Sequence, residues 1–166
     1  MSRLFLLRHA KAIAAKPAMK DFDRPLDKEG ISSLDKLAKA MKASEILPGK
    51  VLLSASCRTR ETASGLIERL AIDVEMIVDE TIYGGGAGEY IQAIKKHAGS
   101  ESLMLVGHNP SIEDLALALC GDGDPFSVSR LKSGFPTAAL ATITFDGPLS
   151  AIARGQGFLE SFPLPR

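Results

Sequence analysis

The chain has only two cysteines, Cys57 and Cys120, among 166 residues. Two thiols cannot make a disulfide framework, so stability has to come from a packed core. Together with three scattered histidines they also give no structural zinc spacing. No long hydrophobic run is present. The purely apolar stretch nearest the start, residues 4–7, is far too short for a signal-peptide core or a membrane span. Net charge is missing as well, with 20 Lys plus Arg against 20 Asp plus Glu. A general nucleic-acid binder carries a basic excess, and this chain does not. These absences predict a cytoplasmic protein with reduced thiols, no membrane partner and no nucleic-acid partner.

What is present is the mixture of a globular domain, 45% apolar and 24% charged. The length predicts a single domain over residues 1–166. Residues 3–7, 51–55, 74–78 and 102–106 read as short buried strands. Between them lie helical patterns. Residues 27–43 place Ile31, Leu34, Leu37, Ala38 and Met41 on one face, with Asp27 as N-cap. Residues 59–70, 89–98 and 111–120 follow, the last introduced by Asn109 as a cap and Pro110 at the first helical position. Strands alternating with helices predict an α/β three-layer sandwich around a mostly parallel sheet. The tail differs: residues 138–145 and 150–154 flank a turn and predict an antiparallel pair at one edge. The loops 9–26, 79–88 and 121–137 are the expected places for function.

Several motif matches fail. The run Gly84-Gly85-Gly86-Ala87-Gly88-Glu89 lacks the third glycine of a dinucleotide fingerprint. Gly49-Lys50 has Ser44 where a P-loop needs its first glycine and Val51 where it needs Ser or Thr. Asp122-Gly123-Asp124 begins like a calcium loop, but the later ligands do not follow. No Gly-x-Ser-x-Gly elbow supports a serine hydrolase.

A different set survives. Arg8-His9 follows the strand at 3–7, Arg58 opens the helix after 51–55, and His108 follows 102–106. In a parallel sheet these points share one carboxyl edge, where ligands bind. Two arginines and two histidines would meet there. Planar multi-donor cations suit a dianionic phosphoryl group, and histidine can donate or attack.

The local sequences are more specific. Leu6-Leu7-Arg8-His9-Ala10-Lys11-Ala12 resembles the Arg-His-Gly signature of the histidine phosphatase superfamily, in the Arg-His-Ala-Lys-Ala form of SixA-type phosphohistidine phosphatases. Asp23-Arg24-Pro25-Leu26 with Gly30 is similar to the family's next block. Ser54 with Arg58-Thr59-Arg60-Glu61-Thr62-Ala63 resembles its Ser-x-x-x-Arg-x-x-x-Thr-Ala block. Leu105-Val106-Gly107-His108-Asn109-Pro110 resembles the Val-Gly-His-Asn-Pro block, and Pro136-Thr137-Ala138-Ala139 a late Pro-Thr segment. The resemblance implies a phosphoglycerate-mutase-like fold without a large cap insertion, and an enzyme that needs no metal and no organic cofactor. It implies His9 as nucleophile, forming a phosphohistidine intermediate that water hydrolyses. Arg8, Arg58 and His108 would hold the phosphoryl oxygens. Ser54 and Thr62 fit scaffold hydrogen bonding as well as a direct role. Ala10 stands where the superfamily usually has glycine, which would be costly if positive φ were required.

The general acid and the substrate follow from the same resemblance. Asp79-Glu80-Thr81-Ile82-Tyr83-Gly84 is similar to the acid-bearing segment of the mutases, which makes Glu80 the candidate and Asp79 the second. A phosphoramidate needs such an acid less than an ester does, because imidazole is the better leaving group. Lys11 and Arg24, with Lys16 and Lys20, are candidate substrate-steering cations in the first loop. The substrate is expected to be a phosphohistidine-bearing protein, with inorganic phosphate as product. The alternatives are a small-molecule phosphomonoesterase, acting on a phosphorylated metabolite, and a phosphate-binding module without turnover.

Overall fold

Strand β1 (Ser2–Arg8) serves two cores at once. Leu4 and Leu6 join the apolar cluster on one face of the sheet, and Phe5 and Leu7 join that on the other. This is the two-residue period of a strand covered on both sides. The computed structural model describes residues 1–99 and 101–163. After β1 come α1 (Lys28–Ala43), β2 (Lys50–Leu53), α2 (Cys57–Leu70), β3 (Glu75–Val78), α3 (Ala87–His97) and β4 (Ser102–Gly107). They are followed by α4 (Ser111–Leu119), β5 (Cys120–Gly123), α5 (Pro125–Lys132), β6 (Leu140–Phe145) and β7 (Gly157–Ser161).

Among the described residues seven strands form one sheet, in the order β3-β2-β4-β1-β6-β7-β5. The first four are mutually parallel, β6 runs antiparallel to β1 and β7, and β5 pairs parallel with β7. Helices α1 and α2 cover Phe5, Leu7, Val51, Leu53 and Val106. On the opposite face α3, α4 and α5 bury Tyr90, Ile94, Leu115 and Leu131 against Leu4, Leu6, Leu52 and Ile143. The predicted α/β sandwich with a mostly parallel sheet is therefore the observed architecture.

Helix α1 opens where expected, with the Asp27 carboxylate accepting the Gly30 N–H at 2.7 Å. Its buried stripe is Gly30, Leu34, Ala38 and Met41, while Ile31 is 46% exposed. Gly30 lies so close to the Lys11 carbonyl that a Cβ would overlap it. Gly30 therefore faces inward, and Ile31, about 100° further round the helix, is turned outward.

Four expectations need correction. Pro110 is not the first helical residue of α4. It is the N-cap, after a cis Asn109–Pro110 bond, and no side chain caps the helix. The strand expected at 150–154 is absent. A 3-10 turn occupies Leu149–Ala151, and the strand beside β6 is β7. Within 150–154 only Ile152 is buried, whereas buried and exposed positions alternate along β7. The loop expected at 121–137 contains β5 and α5, the latter capped by Asp124, which accepts the Ser127 N–H. Strand β3 is an edge strand, with Met76 and Val78 exposed, and not a buried one.

The parallel register brings the functional segments level. Arg8 lies opposite Gly107, and Leu53 opposite Val106. The ladder continues past the strand ends, with His9 N–H donating to Gly107 O and Ser54 N–H to Val106 O. The residues after β1, β2 and β4 thus emerge side by side.

Candidate active site

His9 is buried, and its ring lies 5.4 Å from that of His108, centroid to centroid. Its Nδ1 is 2.7 Å from the Ala10 carbonyl oxygen. A carbonyl only accepts, so Nδ1 carries the hydrogen and Nε2 keeps its lone pair. Burial lowers the His9 pKa to about 4. The Ala10 hydrogen bond opposes that, and the charges of Arg58, Arg8 and Arg24 add to it. His9 is a neutral base at pH 7. Ala10 is not among the described non-glycine residues with positive φ, so its methyl group brings no backbone strain. The Ala10 N–H donates to Thr62 Oγ, which in turn donates to the Arg58 carbonyl. Thr62 thus ties α2 to the histidine-bearing segment.

His108 is held from two sides. Its Nε2 is 2.7 Å from Ser54 Oγ, and its backbone N–H donates to the Tyr90 hydroxyl at 3.0 Å. A Cβ at Gly107 would collide with the Tyr90 ring, so this close approach requires glycine. Burial, then Arg58 and His9, push the His108 pKa down to about 3. Arg8 donates through Nη1 to the Phe135 carbonyl, and burial lowers its pKa. Asn109 Nδ2 donates to the same carbonyl. Arg58 is only 8% exposed. Both arginines act electrostatically on both imidazoles, so the four residues that follow the strand ends do converge.

The loop between β1 and α1 supplies a rim that the sequence did not reveal. Asp21 opens a 3-10 turn, Asp21–Asp23. Arg58 donates to its carbonyl oxygen at 2.8 Å and to its Oδ2 at 3.0 Å. The Tyr83 hydroxyl donates to the same Oδ2 at 2.7 Å, and Arg24 Nη1 to Oδ1 at 2.8 Å. These donors hold the Asp21 carboxyl far below the usual carboxylate range, Tyr83 contributing most. The Tyr83 ring stands edge-on to His108 at 5.6 Å, and Phe22 packs against Tyr83 at 5.1 Å. The sequence marked this loop and the Tyr83 segment as functional ground, but nothing in their composition singled out Asp21, Phe22 or Tyr83.

Other predicted residues lie elsewhere. The Lys11 ammonium is engaged by Glu29 at 2.7 Å and Asp27 at 3.8 Å, at the start of α1. Glu80 is exposed and has no hydrogen-bond or ion-pair partner among the described residues. Asp79 is buried. Its Oδ1 accepts from Thr81 N–H and Oγ, and its Oδ2 faces His97 Nε2 at 3.0 Å. Burial raises its pKa, and these bonds more than offset that, leaving it lowered. Asp79 thus serves as an acceptor within its turn.

A neutral imidazole with a free nitrogen, a second imidazole, a buried arginine and a half-buried one, at the carboxyl edge of a doubly covered sheet, define a phosphoryl-transfer class of site. The family model of the histidine phosphatase superfamily (branch 1) matches residues 4–97, and the chain belongs to that superfamily. It is a phosphatase, a hydrolase of phosphoryl groups. A protein of Agrobacterium tumefaciens assigned as the phosphohistidine phosphatase SixA is 29% identical, with a TM-score of 0.84 over 99% of this chain and 98% of that one. The protein histidine phosphatase SixA complexed with tungstate shares the fold at 22% identity and a TM-score of 0.78, over 98% and 97% of the two chains. An uncharacterized Mycobacterium tuberculosis protein is 29% identical over 163 residues, which cover 96% of this chain and all of the relative.

Proposed function

We propose that this protein is a metal-independent phosphohistidine phosphatase that works through a phosphohistidine intermediate on His9. His9 Nε2 attacks phosphorus while the bond to the leaving group breaks. Arg8, Arg58 and His108 hold the phosphoryl oxygens and stabilise their charge. Water then attacks the phosphohistidine, Nε2 leaves, and inorganic phosphate departs. The observation that carries this reading is the His9 lock, with Nδ1–H fixed on the Ala10 carbonyl beside two arginines. The whole chain acts as one domain, a reading supported by a sheet that draws its strands from Ser2 to Ser161.

The substrate is phosphohistidine on a protein. Two findings support it. The 29% identical structural relative is assigned as a phosphohistidine phosphatase. The carboxylates after β3 are also badly placed for ester chemistry, since Asp79 accepts from Thr81 and His97, and Glu80 is solvent-exposed. An ester needs its leaving oxygen protonated, and imidazole needs less help. Both cysteines are free thiols, which suits the reducing cytoplasm to which we assign the activity.

Phosphate release from a phosphohistidine-carrying protein and from a panel of phosphomonoesters, measured side by side, tests the proposal. The expected kcat/KM preference for phosphohistidine is about tenfold or more. His9→Ala is expected to abolish turnover and the phosphoenzyme. A preference for an ester would overturn the substrate reading and point to Glu80 as its acid. Unchanged hydrolysis by His9→Ala would overturn the mechanism.

A further inference from the structure

We infer that Asp21 is a specificity residue whose carboxylate favours phosphoryl donors with a cationic leaving ring and disfavours those with an anionic one. The inference rests on the phosphohistidine reading and deepens it.

Asp21 is anchored at the rim by Arg58 and Tyr83 on Oδ2 and by Arg24 on Oδ1. A carboxylate has about four acceptor sites, so the single bond on Oδ1 leaves capacity for a donor arriving from solvent. The side chain is 51% exposed, which gives such a donor access. Asp21 takes one hydrogen from each terminal nitrogen of Arg58. A guanidinium has five N–H donors, so Arg58 can bind the carboxylate and a phosphoryl oxygen together. Beside the carboxylate, Tyr83 and Phe22 form an aromatic wall that continues from His108. A planar ring fits against such a wall. The carboxylate stays ionised throughout the working pH range, since Tyr83, Arg24 and Arg58 all stabilise the anion.

The chemistry explains why such an anion matters. Consider a phosphoimidazole ring protonated on the nitrogen remote from phosphorus. His9 Nε2 forms the new P–N bond, and the old P–N electron pair returns to the substrate ring. That ring leaves as neutral imidazole and retains its proton. The positive charge moves to the His9 ring, whose Nδ1–H already faces Ala10 O. Protons and electrons balance without a general acid. An anion beside the substrate ring favours the protonated, reactive form. The same anion repels a leaving group that bears a carboxylate.

The test compares wild type, Asp21→Asn and Asp21→Glu on phosphoimidazole and on 3-phosphoglycerate, whose leaving group bears a carboxylate. The expected result for Asp21→Asn is a fall of at least about tenfold in the ratio of the two kcat/KM values, ~1.4 kcal/mol of differential stabilisation. Asp21→Glu keeps the charge and is expected to keep the preference. A ratio within roughly twofold of wild type in Asp21→Asn would overturn the inference. If both rates rose together, the carboxylate would only occlude Arg58, and if both fell together, it would only brace the loop. Wild-type preference alone judges the phosphohistidine reading, and the change in ratio alone judges Asp21, so the two can fail separately.

Discussion

His9 and His108 enter the site as neutral bases because burial and the two arginines oppose the same thing, a further positive charge. Titration of the ring carbon resonances by NMR is expected to place His9 near pH 4 and His108 near pH 3. Added phosphate should move both midpoints upward, because a bound anion offsets the arginine charges. Arg58→Ala should lower kcat/KM by about 10²–10³-fold, about 2.7–4 kcal/mol, the loss expected for a transition-state donor. At this scale the sequence was legible wherever a residue sits just past a strand end. Arg8, His9 and His108 are placed by strands that apolar runs announce, and Arg58 by the first turn of the helix that follows one of them. Asp21 was not legible. Its position depends on how a loop folds back onto Arg58 and Tyr83, and no periodicity records that.

The helices and strands divide in the same way. Strands β1, β2 and β4 and helices α1, α2 and α3 were visible because burial on both sheet faces writes long apolar patterns. Strand β5 was not, since Cys120-Gly121-Asp122-Gly123 has little strand propensity and owes its conformation to pairing with β7. Helix α5 did carry a signal, Asp124 before Pro125, in a segment otherwise read as loop. Helix α1 offers the sharpest test of packing between elements. Gly30→Ala puts a methyl group onto the Lys11 carbonyl, which is backbone and cannot rotate away. It should destabilise the protein by about 1–3 kcal/mol in urea denaturation. Asp27→Ala at the cap of the same helix should cost ~1 kcal/mol.

For the molecule as a whole, the depressed histidines make stability depend on pH. A histidine whose folded pKa lies below its unfolded value favours folding while neutral. Its contribution is complete above about pH 6.5 and is lost as pH falls toward 4. His9 alone accounts for about 3 kcal/mol. Asp79, lowered instead from an ordinary carboxylate value, adds a loss that begins lower, as pH falls through its own range. Urea midpoints should therefore drop steadily from pH 7 to 4, and His9→Gln should flatten the upper part of that slope. The sheet order has a further consequence, for assembly. β1 is the central strand, yet Arg3 pairs with Ser102 and Leu4 with Ile143. Domains form as the chain emerges from its N-terminus, and loop closure must precede such distant contacts. The segment bearing His9 is synthesised first, yet both strands that flank it come from residue 102 onward. A fragment of residues 1–97, although it spans the whole family match, lacks both neighbours of β1. It should show no cooperative thermal transition by circular dichroism. The His9 site thus takes shape only when the strands on both sides of β1 have closed around it.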